Sequence, residues 1–372
     1  MITESMALAN QKTLRWILSL LLLSLFCPGP AFAVEAPSGT SDLVAVVYPG
    51  TVTEPGTPYP GTVQSPPPQP STAPAPVEDP PSPGLAVLCS ILPGAGHLYL
   101  GELDEAAYYA APFGAMVFFG LAGMDTLYGI STFVWWEVYL YSMFDAYRDA
   151  RLLGGNAGYT HPITSKGFWA HLTAPYHFSN LFTGYALLTL AETALTLTLA
   201  LVLTPATFSI DDPDGELTGM SFGAKLGLSL VLLAGGYLFF TPVATAEEGF
   251  FRGMVHGSLK EGTPTPVALL LSSTIFALVH IPQVLPSNTD EAVVQDEQAQ
   301  VDEDPLANII ALRFISGFTG GLLFGLLYEL EGGELDHAIT MHVLGNSVLI
   351  ASAPFLAGRL ASPLEVSFSI PF

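Results

Sequence analysis

Charge is what this chain lacks most. Of its 372 residues only 12% are charged, and 10 Lys or Arg stand against 33 Asp or Glu, for a formal net charge of −23. A soluble globular domain carries about 25% charged residues. So few cations argue against nucleic acid as a partner, since binding a polyphosphate needs a basic surface. Cysteine is nearly absent. Cys27 lies in a segment expected to be removed, and Cys89 lies in an apolar run. One remaining thiol builds neither a disulfide framework nor a cysteine-based zinc site. There is also no His-Glu-x-x-His zinc-protease helix and no Gly-x-x-x-x-Gly-Lys-[Ser/Thr] phosphate cradle.

What fills the space is apolar. Half of the residues are hydrophobic and the mean hydropathy is +0.48. Several runs approach or exceed the ~20 residues a helix needs to cross a bilayer. The expectation is an all-α polytopic membrane protein, with the lipid bilayer as its solvent. Residues 1–33 read as a signal peptide: Lys12 and Arg15 flank "WILSLLLLSLF", and "AFA" ends at Ala33 as a small-x-small cleavage site. An uncleaved anchor is the alternative. Residues 34–83 are rich in Pro, Ser and Thr and read as a disordered linker. A first membrane block follows at 84–147, then a connector at 148–179, a second block at 180–357 and a tail at 358–372. Three crossings in the first block and five in the second make about eight spans. The first crossing is interrupted by Pro93, Gly94 and Gly96 and reads equally as a re-entrant element.

Arg148, Arg151 and Lys166 mark the connector as cytoplasmic by the positive-inside rule. The stretches 211–216 and 288–305 contain no Lys or Arg and fit the outer side. The expected location is therefore a bacterial inner membrane with its acidic loops outside.

Ionisable groups inside such a chain are costly, and they point to a bundle interior or a wet cavity. "AEEGFFRG" places Glu247 and Glu248 at the end of an uncharged run, with Arg252 following. On a helix Glu248 and Arg252 are an i, i+4 pair in the favourable order. Glu247 points about 100° away, free for other work. His280 ends the apolar "SSTIFALVHIP", and "HAITMHVLGNSVLI" puts His342 and Asn346 on one helix face. Taken singly, each of these is more often a packing feature. Together a carboxylate, two imidazoles and an amide make a hydrolytic inventory.

In order, these segments resemble the CAAX protease and bacteriocin-processing (Abi) family of intramembrane endopeptidases, which includes the type II CAAX prenyl endopeptidases. That family's Glu-Glu-x-x-x-Arg, Phe-x-x-x-His and His-x-x-x-[Asn/Asp] motifs read here as Glu247–Arg252, Phe276–His280 and His342–Asn346. The similarity covers roughly 180–357. It implies an endopeptidase acting on a membrane-associated protein or peptide. In that family's terms Glu247 and His280 activate water, His342 and Asn346 hold the oxyanion, and Glu248 and Arg252 brace the first motif. The metal-free reading is preferred because it gives Asn346 a direct role. A zinc site of Glu247, His280 and His342 is the alternative cofactor reading. A catalytically silent scaffold on the same fold is the other function considered. Two features depart from the family pattern: an acidic insert ending near Asp304, and the first block, "LPGAGHLYLGELDEA…FDAYRDAR". The remaining histidines, His97, His161, His171, His177, His256 and His337, are expected to be structural or interfacial.

Overall fold

A computed structural model describes residues 80–203, 209–210, 216–281, 305–356 and 363–364. The expected signal peptide, most of the linker, the acidic stretch 288–304 and most of the tail lie outside the described residues.

The regular secondary structure of the described residues is helical apart from a two-residue parallel pairing of Ser209–Ile210 with Pro363–Leu364. The principal helices are α1 (Pro83–Cys89), α2 (Ala95–Leu100), α3 (Leu103–Leu121), α4 (Asp125–Leu153), α5 (Gly184–Leu203), α6 (Phe222–Lys260), α7 (Thr265–Val279), α8 (Pro305–Leu330) and α9 (Asp336–Leu356). Four helical stretches are long and apolar enough to cross a membrane: Gly184–Val202, Phe222–Lys260, Ala307–Leu330 and Asp336–Leu356. The eight spans expected from the sequence are not reached among the described residues. α7 has 15 residues, about 22 Å at 1.5 Å per residue, short of the ~30 Å hydrocarbon core. α3 carries Asp104, Glu105 and Pro112. α4 carries Glu137, Asp145, Arg148 and Arg151 among its buried residues. The first crossing is broken: α1 and α2 are separate short helices joined through Gly94 at φ 79°. A Cβ on Gly94 would lie 2.2 Å from the Ala106 carbonyl oxygen, and one on Gly96 would lie 1.9 Å from Ser90 Oγ. Glycine is what lets this turn fold back on α3 and α1.

Both blocks share one core. Tyr109, Val138, Tyr141 and Phe144 from the first cluster with Ala244, Met254, Tyr328, Leu335, Ile339 and Val343 from the second. α4 and α6 run side by side in the same direction: Phe133 stacks on Phe239 at 4.9 Å, and Tyr141 and Phe144 fill the space over Gly249 and Gly253. α7 and α8 meet along a glycine row. A Cβ on Gly317 would lie 3.0 Å from Ala277 Cα, and one on Gly321 would lie 3.0 Å from Ser273 Cα. Small residues at such intervals let two helix backbones approach inside a membrane, where packing rather than hydrophobic burial drives association.

The connector is stitched to the second block at the α6–α7 and α8–α9 turns. Lys166 Nζ pairs with Glu334 at 3.0 Å and Asp336 at 2.9 Å. Glu261 accepts from the Thr160 and His161 backbone N–H groups at 2.7 and 3.0 Å.

Candidate active site

The first motif sits where α6 changes its winding. The α-helical part ends at Glu248, and Gly249–His256 continues as a π-helix. Such wide turns are rare and recur at functional sites. Gly249 and Gly253 make this turn compatible with α4, since a Cβ on Gly253 would lie 2.3 Å from the Phe144 ring.

Glu248 is completely buried and Arg252 is 2% exposed. Arg252 donates to Glu248 Oε1 at 3.0 Å and to the Gly321 carbonyl at 3.3 Å. Its guanidinium lies 4.4 Å from the centroid of the Phe276 ring. The same Glu248 oxygen is 2.7 Å from His342 Nδ1. An ionised carboxylate can only accept, so Nδ1 carries the proton and Nε2 is the nitrogen left for chemistry. Phe324 stacks on the His342 ring at 4.7 Å and 17°, fixing its plane.

His280 caps α7, and its Nδ1 is 2.6 Å from the Phe276 carbonyl oxygen. A carbonyl also accepts only, so His280 too presents Nε2. Both Nε2 atoms face Glu247: His280 Nε2 is 3.6 Å from Oε1, and His342 Nε2 is 3.6 Å from Oε2. These gaps are too long for direct hydrogen bonds. Glu247 thus stands between two imidazoles, each oriented from behind by another group. Asn346 follows His342 by one turn, is half-buried, and makes no side-chain hydrogen bond to another described residue.

The structure therefore brings Glu247, Glu248, Arg252, His280 and His342 into direct contact. It leaves Asn346 beside them with its amide free. The donor chemistry of Glu247, His280 and His342 suits zinc, with outer partners of the kind that orient metal-bound histidines. Their spacing does not: the group of three His, Cys, Asp or Glu residues whose ligand atoms all lie within 4.8 Å of one another is elsewhere among the described residues. The two imidazoles are splayed to opposite oxygens of Glu247.

Two carboxylates escaped the sequence reading. Glu137 on α4 is 7% exposed, and its Oε2 has no hydrogen-bond partner. It lies midway between Phe133 and Tyr141, on the face of α4 turned to α6, close enough to Glu247 for their charges to repel. Glu192 on α5 accepts from the Thr196 and Thr319 hydroxyls at 3.0 and 3.1 Å, within electrostatic reach of His342. Each is the lone charge in its run, "TFVWWEVYLYSM" or "YALLTLAETALTLT". That isolation was a usable signal. The expectation that the chain has no Gly-x-Ser-x-Gly elbow fails on the sequence, since Gly219-Met-Ser221-Phe-Gly223 has that spacing, but Ser221 caps α6 by accepting from the Ala224 N–H at 3.3 Å. Two connector histidines are buried and structural as well. Burial pushes His161 down to about 4 and His171 to about 3, so both rings are neutral in the folded protein at neutral pH.

Comparison with protein families matches residues 227–348 to the model described as "Type II CAAX prenyl endopeptidase Rce1-like". The match spans about a third of the chain and includes all three motifs. No curated protein and no solved structure matches.

Proposed function

Starting from an integral membrane protein whose residues 227–348 form an Rce1-like, CAAX-protease-type domain, we propose that the chain is an intramembrane endopeptidase. It hydrolyses a peptide bond of a membrane-associated protein or peptide. The observation that carries this reading is Glu247 between the two Nε2 atoms, 3.6 Å from each. A gap of that length leaves the carboxylate and His280 free to share a water molecule. Glu247 takes the water's proton as hydroxide adds to the scissile carbonyl, and His280 orients the same water. The developing oxyanion is held by Asn346 Nδ2 and by His342 Nε2, which enters this step as the imidazolium with Glu248 behind it. Glu248 and Arg252 keep His342 in place. The proton on Glu247 then passes to the leaving amine. No step runs through a metal.

Residues 84–147 and 180–357 are proposed as the two membrane blocks, with the connector in the cytoplasm and the acidic stretches on the outer side, which has the short α7 crossing a locally thinned bilayer. A silent scaffold is not favoured, because nothing in a scaffold role calls for a carboxylate without a dedicated cation between two oriented imidazoles. The substrate class is tested by comparing membrane proteomes of cells making the active or the Glu247→Gln protein. A precursor that accumulates uncut only with Glu247→Gln is expected; identical proteomes overturn the endopeptidase reading.

Asn346 separates the mechanisms. As an oxyanion donor, its replacement by Ala lowers kcat by about 10²–10³-fold with little change in KM, and neither chelator nor added zinc alters the result. Rescue of Asn346→Ala by zinc titrated into chelated enzyme would replace this mechanism with the zinc reading.

A further inference from the structure

A second polar cluster lies outside the Rce1-like segment and away from the site just described. His97 on α2 is completely buried, and its Nε2 has no hydrogen-bond partner. Around it stand three carboxylates. Glu102 Oε2 is 3.0 Å from His97 Nδ1, Asp145 Oδ2 is 3.9 Å from Nε2, and Asp149 Oδ2 is 4.0 Å from Nδ1. Asp145 and Asp149 are four residues apart on α4 and share a face.

Arg148 accounts for only part of this charge. It pairs with Asp145 Oδ1, holds Asp149 Oδ1 at 2.6 Å, and donates to the Lys166 carbonyl at 2.7 Å. It therefore grips one oxygen of each aspartate from behind and leaves both Oδ2 atoms turned towards His97. Tyr109 donates to Asp145 Oδ2 at 2.8 Å and stacks on the His97 ring at 4.7 Å. Three carboxylates against one guanidinium leave two surplus negative charges beside a buried imidazole. With Nδ1–H donating to Glu102, Nε2 carries a free lone pair on the side of Asp145. A carboxylate behind one histidine nitrogen, with the other nitrogen facing an aspartate oxygen, is how proteins prepare a histidine for a metal.

We propose that His97, Asp145 and Asp149 form a binding site for a divalent transition metal, zinc by its mixed nitrogen and oxygen donors. Ligand atoms from the three residues all lie within 4.8 Å of one another. A tetrahedral zinc with ligands at ~2.1 Å holds them about 3.4 Å apart, so the 3.9 Å between His97 Nε2 and Asp145 Oδ2 closes by roughly half an ångström and Asp149 Oδ2 moves in to join them. Glu102 and Asp149 are partly exposed, at 26% and 16%, which gives the ion a way in. A bound ion would tie α2 to α4 one residue from Phe144, the side chain that packs over Gly249 and Gly253.

The test uses the full-length protein in detergent, stripped with a chelator and titrated with Zn²⁺, and with Co²⁺ as a visible probe. Wild type is expected to bind one equivalent at this site, to show a cobalt ligand-field spectrum that zinc abolishes, and to melt a few degrees higher with zinc. Affinity falls at least ~100-fold in His97→Gln and Asp149→Asn, and about 10–100-fold in Glu102→Gln, which orients without ligating. It is unchanged in Glu247→Gln and His280→Ala. Two results overturn the site: no binding by wild type, or binding lost in His280→Ala but kept in His97→Gln. Where His97→Gln fails to fold, Asp149→Asn carries the same contrast: binding kept in Asp149→Asn and lost in His280→Ala overturns the site.

Discussion

Glu247→Gln protein, purified in detergent and supplied with a cleavable substrate, is expected to turn over about 10²–10⁴-fold more slowly than wild type. The replacement keeps the shape of the side chain and removes its capacity to take a proton. The structural ion pair is undisturbed, because Arg252 pairs with Glu248 and not with Glu247. Expression, membrane insertion and melting temperature should therefore stay at wild-type values. His280→Ala removes the partner that orients the same water and should fall by a comparable amount. Residues that act as a unit are far from additive, so the double variant should lose little beyond either single one. Wild-type turnover by Glu247→Gln would remove this carboxylate from the chemistry.

The second large effect concerns stability. Glu248→Ala should destabilise the protein by about 3–5 kcal/mol, read as a lowered melting temperature in detergent. Arg252, 2% exposed, would lose the carboxylate that neutralises it and keep a single carbonyl, Gly321. The cavity adds to that loss. Activity should disappear as well, since His342 Nδ1 loses its 2.7 Å partner. The companion variant Glu248→Gln/Arg252→Met, with no charge left to strand, should recover most of the stability and none of the activity. Equal melting of Glu248→Ala and wild type would mean that the pair is not the brace described here.

Much of this arrangement was readable from residues alone, for reasons that can be named. A helix turns about 100° per residue, so adjacent Glu247 and Glu248 had to face different ways, and only one could meet Arg252. His342 and Asn346 on one face followed from the same rule. The link between Glu248 and His342 was not readable, because it joins residues far apart in sequence and depends on how α6 and α9 are set against each other. The π-turn was equally hidden: no local signal in "GFFRGMVH" separates it from an α-helix. Apolar length alone did not fix the number of crossings, because it takes no account of what interrupts a run. Pro93 and Gly94 break the first run, and buried charges crowd α4. Glu137 and Glu192 were missed for the opposite reason: each stands alone, and the motif reading looked for groups.

The glycine row between α7 and α8 bears on traffic. An enzyme working inside a bilayer has to admit an extended polypeptide sideways from the lipid. Extended chain needs a slot several ångströms wide, and its unpaired amides need shelter from hydrocarbon on the way in. Where Gly317 and Gly321 lie over Ala277 and Ser273, an added Cβ would come within 3.0 Å of a backbone atom. Such a seam is a wall, sealed along its length by the two helices themselves. A substrate must reach Glu247 by another route around the bundle, so crosslinkers placed on the lipid side of Gly317 and Gly321 should catch lipid and not peptide.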